Sequence, residues 1–253
     1  MKIDKVVVAG CSWMGYPWEW ENKQRKTYNP SIPESHDYRD MMDEYGFGRI
    51  LTNKLNTFYD NISEIGHSNE KQINLIHNLV ENNRENEKLL VIFGITQLSR
   101  FEIWANNHNI HENTVTFKWH SDFSERYSSL RRGNFTKNEL QEFIRLGNRI
   151  YFDHNWMSSK VMRQFDLLNG YLNNKGHEFL LFDSFSELIF DEKPYMFKFP
   201  NDGYQWMRYI YSYDKDYRVG THPSHHDHKV LAGLLSEYLE KKYEFTKISE
   251  RII

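Results

Sequence analysis

With 253 residues, 32 basic and 35 acidic side chains and a formal net charge of −3, the chain is long enough for an α/β core without staples and lacks the positive field of a nucleic-acid binder. The single cysteine, Cys11, excludes an internal disulfide framework and suits a reducing compartment. The opening MKIDKVVVAG reads as a first strand rather than a leader, and no window has the length of a membrane span, so a cytoplasmic location without a membrane partner is expected.

The first element is KVVVAG (5–10): three consecutive valines and a closing glycine predict a buried strand. EYGFGRILTNKLNTFY (44–59) carries Phe47, Ile50, Leu51, Leu55 and Phe58 at helical spacing, and DNISEIG (60–66) reads as a short strand ending in glycine. Residues 68–83 predict an amphipathic helix, with Ser68 as its cap and Ile73, Ile76, Leu79 and Val80 on its apolar face. KLLVIFG (88–94) and HEFLLFD (177–183) are continuous apolar runs and predict two further buried strands. The last helix is expected over 226–243, where Val230, Leu231, Leu234, Leu235 and Leu239 share a face.

Strands that are apolar throughout and alternate with helices predict a parallel sheet covered on both faces, within one unit spanning 1–253. Ligands of such sheets bind beyond the carboxyl ends of the strands. Attention therefore falls on Cys11–Ser12, on 66–69, on 94–100 and on Asp183. Two polar stretches, 16–43 and 103–135, fit no strand–helix unit and read as excursions on the same rim, serving as lids or substrate walls. Aromatics make up 16% of the chain, and many lie in polar stretches such as NDGYQWMRYIYSY, where partly buried packing competes with a ligand-facing role.

Ser12 follows the first strand directly, where it is either a helix-capping serine or a nucleophile at a helix N-terminus. The G-x-S-x-G elbow is absent, because Met14 stands where its second glycine belongs. Cys11 alternates with Ser12 and so faces away from it, toward packing. His222 precedes Pro223, which favours an extended backbone there; the histidine is either a surface residue or a base held just before the last helix. The run HPSHHDH invites a zinc reading, but no distant cysteine or HExxH partner accompanies it, so neither a metal nor another cofactor is expected.

GCSWMG (10–15), GHSNE (66–70), VIFGITQLSR (91–100) and THPSHHDHKVLA (221–232) resemble, in order and placement, the four blocks of the SGNH (GDSL-like) hydrolases. They are most similar to a divergent branch found in phages and bacteria, whose first block reads Gly-Cys-Ser. The resemblance implies a three-layer α/β/α flavodoxin-like sandwich with a mainly parallel, roughly five-stranded sheet. It implies Ser12 as nucleophile, His222 as general base, and the Ser12 and Gly66 amides as oxyanion donors. Gln97 stands where the family has its oxyanion asparagine; it either replaces that amide or faces solvent. The family's orienting aspartate lies three residues before the base, at Val219 here. Either Asp216 serves from a shifted loop, or the pair works as a dyad, or activity is lost; Asp214 and Asp183 are the other carboxylates considered. Asn69, Arg100 and Trp13 are the candidates for substrate contact, with Arg100 and Glu102 alternatively forming a surface ion pair. His228 matches a second histidine of the family and is expected to cap or pack, while His225 and His226 are expected in solvent. The implied activity is hydrolysis or transfer of a small acyl group, such as an acetyl ester of a carbohydrate. The competing expectation is a non-catalytic module that binds a glycan or a protein with the same cleft.

Overall fold

The computed structural model describes residues 1–10, 14, 45–63, 68–83, 86–98, 100–104, 114–118, 138–139, 142, 145–146, 153–185, 191–201, 203–214 and 223–251. After a two-residue β1 (Lys2–Ile3), Lys5–Gly10 forms β2, whose valines favour extended backbone through their branched side chains. It pairs in parallel with β3 (Phe58–Asn61) on one side and with β4 (Leu89–Ile95) on the other. β4 pairs in parallel with β7 (Glu178–Asp183), giving the order β3-β2-β4-β7. β5 (Arg100–Trp104) and β6 (Thr114–Lys118) form a separate antiparallel pair, and β1 pairs in parallel with β8 (Glu244–Phe245).

Side chains alternate along each central strand, and both sides are buried. Val6, Val8, Leu90, Ile92, Leu180 and Phe182 pack with α1 (Phe47–Leu55) and α5 (His225–Glu240). Val7, Ala9, Val91, Phe93, Phe179 and Leu181 pack with α2 (Asn69–Glu81) and α3 (His154–Asn174). The architecture is therefore a three-layer α/β/α arrangement around a parallel sheet. The strand order reverses between β2 and β4, so their carboxyl ends border the crevice that such sheets use for ligands.

The expected strands over 5–10, 88–94 and 177–183 appear within one residue of their predicted bounds. The predicted strand over 60–66 is instead β3, shifted toward the N-terminus. Asn56 adopts the left-handed conformation (φ 51°) and ends α1, which frees Phe58 for the sheet. Of the expected five strands, the described residues of the main sheet supply four. Beyond β7, two isolated parallel bridges, Leu181 with Met196 and Asp183 with Gln205, occupy the fifth position.

Two elements were not anticipated. α3 is 21 residues long and buries Met157, Val161, Phe165, Leu168 and Leu172, a spacing legible in the chain; Asp153 caps it by accepting the Trp156 N–H at 2.7 Å. The β5–β6 pair extends into the stretch read as an irregular excursion over 103–135. Among the described residues no helix is long and apolar enough to cross a membrane.

Candidate active site

The central strands end side by side, with Gly10 of β2 in register with Gly94 of β4. Neither position has room for a side chain. A Cβ on Gly10 would meet Met14 Cγ at 2.5 Å and the Gly94 carbonyl at 2.6 Å, and the backbone there is at φ +137°. A Cβ on Gly94 would run into Met14 Sδ and lie 2.7 Å from Ser184 Oγ. The buried Met14 is thus seated across both glycines, at the point where the chain has just passed Cys11–Trp13.

β3 ends at Asn61, so it offers no strand partner to the Gly10 N–H. Gln72, fully buried on α2, supplies one: its Oε1 accepts that N–H at 3.1 Å. The N–H of the last residue before Cys11 and Ser12 is therefore held by a side chain rather than by a strand.

α2 begins at the same rim. Ser68 Oγ accepts the Lys71 N–H at 3.1 Å and caps the helix, as its sequence position predicts. Asn69, 4% exposed, pairs with Thr96 in both directions: Oδ1 accepts the Thr96 N–H at 2.9 Å, and Nδ2 donates to the Thr96 carbonyl at 3.2 Å. This carboxamide imitates a strand partner at the end of β4 and fixes the backbone that leads into Gln97.

Gln97 is half-buried, and its Oε1 is sealed from solvent without a hydrogen-bond partner among the described residues. A buried amide oxygen left without a partner costs free energy, about 1–3 kcal/mol. Arg100 opens β5; its side chain, like the other β5 and β6 side chains, lies outside the described residues. Ser12, Trp13, Gly66, Asp216 and His222 also lie outside them.

Two of the carboxylates weighed as partners of the base are described. Asp183, 1% exposed at the end of β7, accepts the Phe185 N–H at 2.9 Å. Asp214 follows α4 (Trp206–Tyr213), and its N–H donates to the Ile210 carbonyl at 2.8 Å. A third carboxylate is Asp227, the acidic residue of the HPSHHDH run. It closes a capping box with Ser224 and accepts the Tyr213 hydroxyl at 2.6 Å. The signal was present in Ser-x-x-Asp ahead of an apolar run, a spacing that marks a helix start.

The histidines of the run separate. His228, fully buried on α5, packs as expected: it stacks on Phe47 at 6.2 Å and meets Trp206 edge-on at 5.2 Å. Its Nδ1 accepts the Phe47 N–H at 3.0 Å, replacing the cap that Gly46 cannot provide for α1. His226 is exposed, whereas His225 is half-buried, its Nδ1 3.3 Å from the Tyr45 carbonyl. Trp206 of NDGYQWMRYIYSY is 1% exposed between Phe47 and Phe182, a packing role. Among the described residues no three histidine, cysteine or acidic side chains gather as metal ligands would.

Glu70, in the first turn of α2, extends the polar rim toward α3. Burial alone would raise its carboxyl, but hydrogen bonds from Lys160 and Gln164 and the lysine charge together hold it below the ordinary carboxylate range.

No family model and no curated protein sequence matches the chain. Among solved structures the chain is similar to one reported under the words "The active site of a carbohydrate esterase displays divergent catalytic and non-catalytic binding functions". The likeness has a TM-score of 0.35 and 13% sequence identity, and covers 96% of this chain and 70% of that one.

Proposed function

We propose that the chain is a serine-dependent acyl-ester hydrolase or transferase of the SGNH kind, acting on a small acyl ester such as an acetyl ester of a carbohydrate. One observation carries the reading: the pairing of β2 with β4, the strands that flank the reversal of order, ends in the registered pair Gly10–Gly94. Ser12 follows the first of these glycines by two residues and Gln97 follows the second by three. The side-chain clamps on Gly10 and Thr96 support it.

In this reading Ser12 Oγ attacks the acyl carbonyl carbon as its proton passes to His222. The oxyanion is met by the Ser12 and Gly66 amides and by Gln97 Nε2, the amide that replaces the family's asparagine. Collapse of the tetrahedral species breaks the ester bond, and His222 returns the proton to the departing alkoxide. Water, or an acceptor hydroxyl, then releases the acyl group by the same steps in reverse. Asp216 orients His222, with Asn69 acting through Thr96 and with Arg100 and Trp13 on the substrate side. A second reading, a non-catalytic glycan- or protein-binding cleft, is favoured by Val219 in the place of the family's aspartate.

The test is intact-mass analysis after treatment with a fluorophosphonate. A single adduct on Ser12, absent in Ser12→Ala and strongly slowed in His222→Ala, supports the hydrolase. Loss of one oxyanion donor in Gln97→Ala is expected to slow turnover of an acetyl ester roughly 100-fold or more. A folded wild-type protein that takes no adduct returns the site to the binding reading.

A further inference from the structure

A groove of about 460 Å³ opens at the end of the sheet opposite the candidate active site, where α2 finishes and β2 and β4 begin. Its volume falls within the range of about 300–1,000 Å³ that small-molecule sites occupy. Lys5 and Leu89, both on its wall, are the registered first residues of β2 and β4. The Gly10–Gly94 pair lies five residues further along the same strands, about 16 Å away.

Lys5 stands between two carboxylates of the groove, with Nζ 2.8 Å from Glu87 Oε2 and 3.1 Å from Asp60 Oδ2. Burial alone would lower its ammonium, but hydrogen bonds to Glu87 and Asp60 and their charges together hold it above the ordinary lysine value. The Glu87 side chain is 5% exposed and that of Asp60 44%. Ion pairs this buried add little net stability over apolar packing, because desolvation offsets most of the attraction. What they supply is direction: one ammonium ties β3 to the residue two before β4 and fixes both carboxylates. The third wall is the end of α2. Asn82 Nδ2 donates to the Asn78 carbonyl at 2.7 Å, and Asn83 Nδ2 donates to the Glu87 carbonyl at 2.8 Å. Each carboxamide held in this way keeps an Oδ1 that can accept. Leu79 and Leu89 add apolar surface beside these polar groups.

A simple cation entering the groove would meet Lys5. A simple anion would meet two carboxylates and the carboxyl end of α2, whose last turn holds no basic residue. A hydroxyl suits the lining better, because it donates to a carboxylate or amide oxygen and accepts from an ammonium or amide N–H in the same place. Groups already held by one another lose little further freedom when a ligand arrives.

We propose that the groove is a second ligand site and takes a neutral sugar. Its hydroxyls pair with Asp60, Lys5 and the asparagines, and its ring C–H surface rests on the leucines. The inference does not depend on the hydrolase reading.

The experiment is a titration followed by amide nitrogen–proton correlation spectra. The probes are D-glucose, D-galactose and N-acetylglucosamine, with methylammonium chloride as a cation control. Saturable shifts at Lys5, Asp60, Asn78, Asn82 and Asn83 are expected with at least one sugar at a Kd on the order of 1–10 mM. Asp60→Asn keeps the shape of a partly exposed side chain and should weaken that sugar roughly tenfold. Asn78→Ala lies at an exposed helical position that alanine favours, so it remains informative if Asp60→Asn does not fold; weaker sugar binding is expected there too. Groove shifts with methylammonium and none with a sugar overturn the proposal, as does the absence of shifts with all three sugars. Sugar shifts confined to Thr96, Gln97 and the carboxyl ends of the strands overturn the groove and leave the hydrolase reading in place. A wild type that takes no fluorophosphonate adduct yet shifts at the groove removes the hydrolase and keeps the second site.

Discussion

At the scale of single residues, the rim of the sheet is governed by what has no side chain and by amides that stand in for missing strands. Gly94 is hemmed in by Met14 and Ser184, whereas Gly170, on the outer side of α3, has no neighbour within 4 Å of where a Cβ would go. The same substitution should therefore have opposite signs at the two positions. Gly94→Ala is expected to cost about 1–3 kcal/mol through overpacking and to lower the melting temperature by roughly 2–12 °C. Gly170→Ala is expected to stabilise by about 0.5–1 kcal/mol, because alanine loses less freedom in a helix. Calorimetry on both variants checks the pair, and equal shifts would show that Met14 does not hold the two strand ends together. Gln72 and Asn69 act differently: each carboxamide replaces backbone pairing where a strand has run out.

At the scale of elements, α3, β4 and β7 meet at His177. Its Nδ1 accepts the Leu89 N–H at 3.2 Å, which ties the turn after α3 to the start of β4. An acceptor nitrogen must be unprotonated. Burial first, then the charges of Lys88 and Lys175, push the imidazole below its ordinary value of 6.5. The folded state therefore binds the proton less readily than the unfolded chain. The stability this contact contributes is complete above the unfolded value and is lost as the pH falls from about 6.5 through the folded value. Urea unfolding between pH 7.5 and 5 should show the midpoint declining with acid. In His177→Gln, which retains an acceptor that does not titrate, that part of the decline should disappear. An identical decline in both proteins would remove His177 from the account.

At the scale of the whole molecule, two hydrophobic layers lie back to back across one sheet, and the sheet's middle belongs to both. β2 and β4 have partners on both edges and helices on both faces, while β3 is half-buried and, among the described residues, pairs on one edge with β2. Amides of Val6–Ala9 and Leu90–Phe93 should thus exchange at the rate set by global unfolding, and those of Phe58–Asn61 faster. Hydrogen-exchange mass spectrometry resolves the two groups; protection of β3 equal to that of β2 would argue for a further partner on its other edge.

Much of this was legible in the chain. Consecutive valines, continuous apolar runs and glycine stops marked β2, β4 and β7 nearly to the residue, because a strand buried on both faces leaves a contiguous signal. β3 was misplaced because an edge strand carries a weaker apolar pattern, and because a left-handed Asn56 ends the preceding helix early. The four short blocks carried the site hypothesis, and the register of Gly10 with Gly94 sets the first residue of the first block beside the glycine of the third. What the chain alone determined was local: which runs are extended, where α2 and α5 begin, and which side chains have the right chemistry. Only the tertiary structure decided how the amides and carboxylates of the rim are spent. Asn69 holds Thr96, Gln72 holds Gly10, His228 caps α1, and Asp227 gathers Tyr213 and Ser224, pairings that join residues 3 to 181 positions apart. Local periodicity carries no information about such partners, because a hydrogen bond is chosen by proximity in space and by the need to satisfy each buried polar group.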